Sequence, residues 1–450
     1  MAAPIRLPAP VTSAVPRGVV TVVFFTADLR QSDAQSSRLQ DSLQNTSMQT
    51  PHSATLPEPE AGEREHSLRL RQLIGDAVED AGGALDFSAF MDIALYAPGL
   101  GYYAAGAEKF GAKGDFITAP ELSPLFAECL ARQVAEVFER IGGGDFLELG
   151  AGSGVLAVDL LLALDGLDAL PARYCILEPS PELRARQREH VAGLPARLAG
   201  RVLWLDRLPE KPLHGVVFGN EVLDAMPVYR FRARAGQVCV LTVRRADDGG
   251  FTWSERPADP SLTQTVRALE ESLGYPFSDG YVSELNPACG PWMKSVSEVL
   301  GSGVVLLCDY GYPRHEYYQP QRSRGTLICH YRHRAHDDPL RLVGLQDISA
   351  SVDFTALAEA GVAAGLELAG YTSQGWFLLG CGLDEILACA DQRDTRAQLE
   401  LSAAAKNLLL PGRMGERFKV MAFSRAVGGR LRGFRLEDQR HRLYPPSITE

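Results

Sequence analysis

The sequence predicts an α/β protein: a mostly parallel, doubly wound sheet of seven strands, preceded by a helical segment and interrupted by a β-rich insertion. Three observations predict it. From residue 146 onward, short apolar runs alternate with helical patterns, as in chained strand–helix–strand units. A glycine turn carrying Gly150, Gly152 and Gly154 joins the first of those runs to the first of those helices. The next run ends on Glu178, at the position where doubly wound folds place a ribose-binding carboxylate.

The elements follow in order. Residues 1–66 are rich in Pro, Ser, Thr and Gln without helical or strand periodicity, and read as a disordered extension. An apolar stretch at 19–25 behind Arg6 and Arg17 is short and proline-crowded for a signal-peptide core, so a working start near Met48 is the simpler reading. Residues 67–144 form an N-terminal helical segment with a pocket-closing loop. Its first helix should begin near Leu68 and close at Gly82 and Gly83. A second helix is expected over 122–141, where apolar side chains recur at i, i+3 and i+4 before Gly142. Thr118 and Glu121 have the spacing of a capping box, with Pro120 in the first turn.

The remaining domain spans 145–445. Strands are expected at 146–149, up to Glu178, at 201–206, at 214–220 and at 304–312, with the last two within 366–380 and 417–425. The fourth runs into Asn220, Glu221 and Asp224, and the fifth ends at Asp309. Between them an insertion at about 229–297 alternates as a hairpin with turns at Ala235-Gly236 and Asp248-Gly250, suited to a substrate cover. Trp376 and Phe377 read as core packing.

Composition narrows the function. The chain is 46% hydrophobic and 22% charged, ordinary values for a globular protein of 450 residues. Its 45 basic and 56 acidic residues leave a net charge of −11, which excludes a chain built to coat nucleic acid. No run approaches the length of a membrane span. The eight cysteines are scattered without a C-x-x-C pair, as expected of reduced thiols in a reducing compartment such as a cytoplasm. Cys329, His330, His333 and His336 resemble metal ligands in type. The segment has weak helix propensity and interleaved arginines, so no metal is expected. It reads instead as part of a basic patch with Arg322, Arg324, Arg332, Arg334 and Arg341, facing solvent or an acidic partner.

The glycine turn separates two ligand classes. Dinucleotide folds need a glycine where this chain has Val155. The observed E-x-G-x-G-x-G, starting at Glu148, instead resembles the turn of Rossmann-like methyltransferases that bind S-adenosyl-L-methionine (SAM). MDIALYAPGLGYYA (91–104), GDFITAPELSPLFAE (114–128), LELGAGSG (147–154), GNEVLDAMPV (219–228), CDYGY (308–312) and GTLICHYRHRAHDDPL (325–340) together resemble the MidA-type SAM-dependent methyltransferases over about 68–445. That resemblance implies a Rossmann-like class I methyltransferase fold and SAM as cofactor. It further implies arginine methylation of a protein such as a respiratory complex I core subunit, with assembly of that complex as the role. A mitochondrial matrix location would follow in a eukaryote.

Carried over to this chain, Gly150, Gly152, Gly154 and Glu178 would hold SAM, with Glu148 and Asn220 beside them, while Asp115 and Thr118 would close its pocket. Methyl transfer to a guanidinium needs carboxylates that pin the cation and orient one nitrogen. Glu221 is the first choice, and the second carboxylate is open between Asp224 and Glu284. Asp224 could equally cap the following helix. A non-catalytic SAM-binding assembly factor and a small-molecule methyltransferase remain as alternatives, and the oligomeric state stays open.

Overall fold

In a computed structural model, residues 56–105, 118–389 and 395–444 are described. The expectations for residues 1–55 and for the loop containing Asp115 lie outside the described residues. The central sheet takes its strands in chain order as β1 (Asp145–Leu149), β2 (Tyr174–Leu177), β3 (Val202–Leu205), β4 (Leu213–Asn220), β5 (Leu300–Tyr312), β6 (Glu367–Ser373) and β7 (Phe418–Arg425). Their spatial order is β6-β7-β5-β4-β1-β2-β3. Strands β1 to β5 run parallel, and β7 is antiparallel to both β5 and β6. A two-residue strand, Val352–Asp353, extends the sheet beside the end of β5. This is a Rossmann-like α/β fold.

All five residues of β1 are buried, as a strand covered on both faces requires. One face packs on helices Leu125–Ile141 and Val155–Gly166 through Phe126, Leu130, Leu160 and Phe218. The other packs on helices Cys289–Val299 and Phe354–Ala363 through Met293, Val296, Leu357 and Leu307. Strand order reverses between β1 and β4, so their carboxyl ends open a crevice where such folds bind ligands.

The insertion forms a separate antiparallel sheet of Tyr229–Arg234, Gln237–Arg245, Phe251–Pro257 and Val282–Leu285. The N-terminal segment joins that sheet, because Leu85–Asp86 pairs with Gln237–Arg245. Ile74, Phe87 and Phe90 share a core with Val243 of the insertion and with Val343 and Ile348.

Several expectations are corrected. The first helix spans Ala61–Asp80, so residues 61–66 are helical; Glu60 and Glu63 form its capping box, with a cap residue outside the usual Ser/Thr signal. The Thr118 capping box does not form. Its short helix, Ala119–Leu122, has no side-chain cap, and extended Ser123 with Pro124 separates it from Leu125–Ile141. Residues 366–380 divide into β6 and the helix Gln374–Gly380, on which Phe377 is buried while Trp376 is 43% exposed. The basic patch is dispersed. Arg332 pairs with Glu63 at 2.9 Å, Arg324 pairs with Asp337 at 2.9 Å, and Arg322 lies over the Tyr312 ring. Cys329, His330 and His336 sit on the strands Ile328–Tyr331 and Arg334–His336, with Cys329 buried in the core. Among the described residues no helix is long and apolar enough to cross a membrane.

Candidate functional site

A cavity of about 1150 Å³ opens at the carboxyl ends of β1, β2, β4 and β5. Its volume exceeds the upper end of ordinary small-ligand pockets, leaving room for a cofactor and a second group. Gly150, Gly152 and Gly154 turn the chain from β1 into the following helix with φ of 68°, 53° and 86°. Gly154 also has a packing role. A Cβ there would lie 3.0 Å from the Gln187 backbone Cα. The Gln187 amide donates to the Gly152 carbonyl at 2.9 Å and to the Glu178 carboxylate at 3.3 Å, locking turn and acid together. Glu178 is buried and accepts the Ser180 N–H at 3.0 Å.

Glu148, Glu178, Asn220, Glu221, Asp224 and Thr118 all line this cavity. Glu121 lines it too, and accepts a hydrogen bond from Ser153 in the glycine turn in place of the helix cap. Burial pushes the Glu148 carboxyl up to about 7, opposed by the Tyr174 hydroxyl that donates to it at 2.8 Å.

The acidic end of the cavity follows β4. Glu221 has φ of 53°, a left-handed turn that directs the chain out of the strand. Its N–H bonds the Cys308 carbonyl at 2.9 Å, and the Asn220 amide donates to its carboxyl at 2.9 Å. Asp309, at the end of β5, holds the loop in place. One of its oxygens accepts the N–H groups of Val222, Leu223 and Asp224 at 3.1, 2.9 and 3.4 Å, and the other accepts that of Tyr310 at 2.9 Å. Burial, then Asp224, pushes Glu221 up to about 8. Burial, then Asp347, pushes Asp224 up to about 7. Both carboxyls are therefore held above the ordinary carboxylate range by burial and by neighbouring acids in the same cleft.

Glu284 lies elsewhere. It is buried behind the cavity wall, paired with Arg230 at 3.0 Å, and it accepts the Thr326 N–H at 2.7 Å. A carboxylate already neutralised by a partner has little charge left for a substrate. Asp347, which the sequence reading did not single out, is buried, lines the cavity and faces Asp224. Nothing in the sequence announces it, since it lies more than a hundred residues from Glu221 in an unremarkable run. Tyr96 and Tyr103 also line the cavity and were read only as part of a motif block.

The residues present fit SAM. The turn lines the cavity with backbone, Glu178 is a buried acid on its wall, and Asn220 Oδ1 is a buried acceptor without a protein partner. The comparisons agree. A family model of S-adenosyl-L-methionine-dependent methyltransferases matches residues 129–372.

The chain belongs to that family.

A crystal structure of a Burkholderia thailandensis protein bound to S-adenosyl-homocysteine is 45% identical, covers 86% of this chain and all of that one, and superposes with a TM-score of 0.82. A native structure from the same organism is 44% identical with a TM-score of 0.80, again over 86% of this chain and all of that one. Among curated proteins, the mitochondrial protein arginine methyltransferase NDUFAF7 homolog of Caenorhabditis elegans is 26% identical over 86% of this chain and 93% of its own length. Human NDUFAF7 is 26% identical over 77% and 82%. As a member of this methyltransferase family, the chain uses SAM.

Proposed function

We propose that this methyltransferase acts on an arginine side chain of a protein. The observation that carries the proposal is the acidic end of the cavity, where Glu221, Asp224 and Asp347 converge beyond the glycine turn. A lone carboxylate could serve many acceptors. Three beside one another suit a substrate that brings positive charge and several N–H donors.

SAM supplies an electrophilic methyl group carried on a sulfonium sulfur. Gly150, Gly152, Gly154 and Glu178 would hold it, with Thr118, Glu148 and Asn220 on the walls; Asp115 belongs to the loop expected to close the pocket. Glu221 and Asp224 would pin the guanidinium and orient one nitrogen toward the methyl carbon. That nitrogen would gain the methyl carbon as the carbon–sulfur bond breaks to leave S-adenosyl-homocysteine, and would lose a proton, for which Glu221, with its proton affinity raised to about 8, suits the role of acceptor. The relatives named protein arginine methyltransferases support the same acceptor class. A respiratory complex I core subunit is the partner to which the family resemblance points.

The test is to incubate the protein with methyl-labelled SAM and an extract from cells lacking it, then identify the labelled species by mass spectrometry. One dominant protein carrying methyl-arginine is expected. Label confined to small molecules would replace the acceptor class, and SAM binding without any transfer would favour a non-catalytic assembly factor.

A further inference from the structure

The N-terminal block MDIALYAPGLGYYA supplies two tyrosines that line the cavity. Tyr96 ends the helix Phe87–Tyr96, and Tyr103 follows in the next turn. Their rings stack with centroids 5.7 Å apart and planes 21° apart. Each hydroxyl is tied to the acidic end of the cavity: Tyr96 donates to the Ala225 carbonyl at 2.8 Å, and Tyr103 donates to Asp347 Oδ1 at 2.8 Å. Ser349 donates to the other Asp347 oxygen at 2.5 Å. The His330 ring lies 3.9 Å from that same oxygen, and Asp347 lines the same cavity as both tyrosine rings.

A second feature points to a ligand. Asp224 is 5% exposed and lines the cavity, with the Tyr310 and Ser349 hydroxyls and the Ala225 N–H facing its carboxyl, yet its Oδ1 is left without a well-aligned donor. Asn220 Oδ1 is likewise buried and unpartnered. Buried acceptors without donors cost on the order of 1–3 kcal/mol each, so a site that keeps them is built to receive donors from outside.

We propose that Tyr96, Tyr103, Asp224 and Asp347 form a cage for the cationic head of the acceptor, in which Asp347 touches the guanidinium and Tyr103 positions Asp347. The proposal rests on the arginine reading above and adds the residues that select a guanidinium over an ammonium. An ammonium has three donors and a tight hydration shell. A guanidinium has five donors in a plane and gives up water more readily, so it can satisfy acceptors on several walls while lying against an aromatic surface. Here the acceptors come from two distant stretches of chain, β4 with its loop and the strand Asp347–Ser349, and the aromatic surface comes from a third.

The experiment titrates the protein, saturated with S-adenosyl-homocysteine, with acetyl-arginine methylamide and with its lysine counterpart by calorimetry. The arginine probe should bind at least tenfold more tightly than the lysine probe. Asp347→Asn should weaken it by tenfold or more, and Tyr103→Phe by about fivefold, while affinity for S-adenosyl-homocysteine stays within twofold. Equal binding of the two probes, no binding of either, or wild-type arginine affinity in both variants would each overturn the cage. Parallel loss of S-adenosyl-homocysteine affinity would also overturn it, by assigning these residues to the cofactor pocket. If Asp347→Asn does not fold, Tyr103→Phe decides alone. Should the wild type bind the arginine probe through Asp347 yet methylate no protein arginine, the function proposed above falls and the cage stands.

Discussion

Glu221→Gln should give an enzyme that is inactive and, above neutral pH, more stable than the wild type. Glutamine matches glutamate in shape, can occupy the same left-handed turn, and can still accept from the Asn220 amide. What it removes is a charge that the fold keeps near Asp224 and Asp347. The Glu221 carboxyl is raised from 4.5 to about 8, so its contribution to stability is complete below pH 4.5 and is lost as the pH climbs toward 8. At pH 7 the unfolded group has passed its pKa by about 2.5 units, each about 1.4 kcal/mol, giving about 3 kcal/mol against folding. The side chain is only partly buried and water in the cavity screens it, which reduces this to ~1–2 kcal/mol. Calorimetric melting of ligand-free wild type and variant should therefore coincide near pH 5. They should separate by about 2–4 °C in favour of glutamine at pH 8.5. Methyl transfer should fall by about a hundredfold or more, with SAM affinity within threefold. A melting difference that does not change with pH, or a variant less stable than wild type at pH 8.5, would show that Glu221 is not held against its ionisation, and the acidic site would lose its physical basis.

Other perturbations probe the supports around that group. In the wild type, kcat/KM should rise between about pH 6 and 9, because Glu221 and Asp224 shed protons near 8 and 7 before they can grip a cation; a flat profile would contradict this. Gly154→Ala forces alanine into φ of 86° and presses a Cβ on the Gln187 backbone, costing about 2–5 kcal/mol and at least tenfold in SAM affinity, as read by melting and equilibrium dialysis. Asp309→Asn puts amide hydrogens against N–H groups that now meet a carboxylate, so kcat should drop tenfold or more with SAM binding nearly unchanged. Arg230→Met strands the buried Glu284 charge and should cost about 3–5 kcal/mol in denaturant unfolding, whereas Glu284→Gln should cost less and leave methyl transfer in place.

Much of the fold was legible because it is written in local pattern. The alternation of apolar runs with helical periods announces a parallel sheet, and the E-x-G-x-G-x-G turn with Glu178 marks one side of the crevice, since strand, turn and helix are consecutive in the chain. Errors arose where a local signal had a competitor in space. Thr118 and Glu121 have the right spacing for a cap, but Ser153 claims the Glu121 carboxylate from the glycine turn. Trp376 has a core residue's chemistry, yet on the helix Gln374–Gly380 it faces outward while its neighbour Phe377 faces in.

The acidic site divides along the same line. The motif blocks at 91–104, 114–128, 147–154, 219–228, 308–312 and 325–340, taken in order, carry the resemblance to the methyltransferase family, its fold and its cofactor. Only the folded chain decides which acids meet. Glu284 and Asp347 are indistinguishable as isolated letters, but strand pairing in the insertion sets Arg230 beside Glu284, while the strand Asp347–Ser349 delivers Asp347 to the cavity with Tyr103 on its oxygen. Charge in water is local to its side chain. Inside a protein it is defined by what packs against it, and that follows from contacts between segments far apart in sequence.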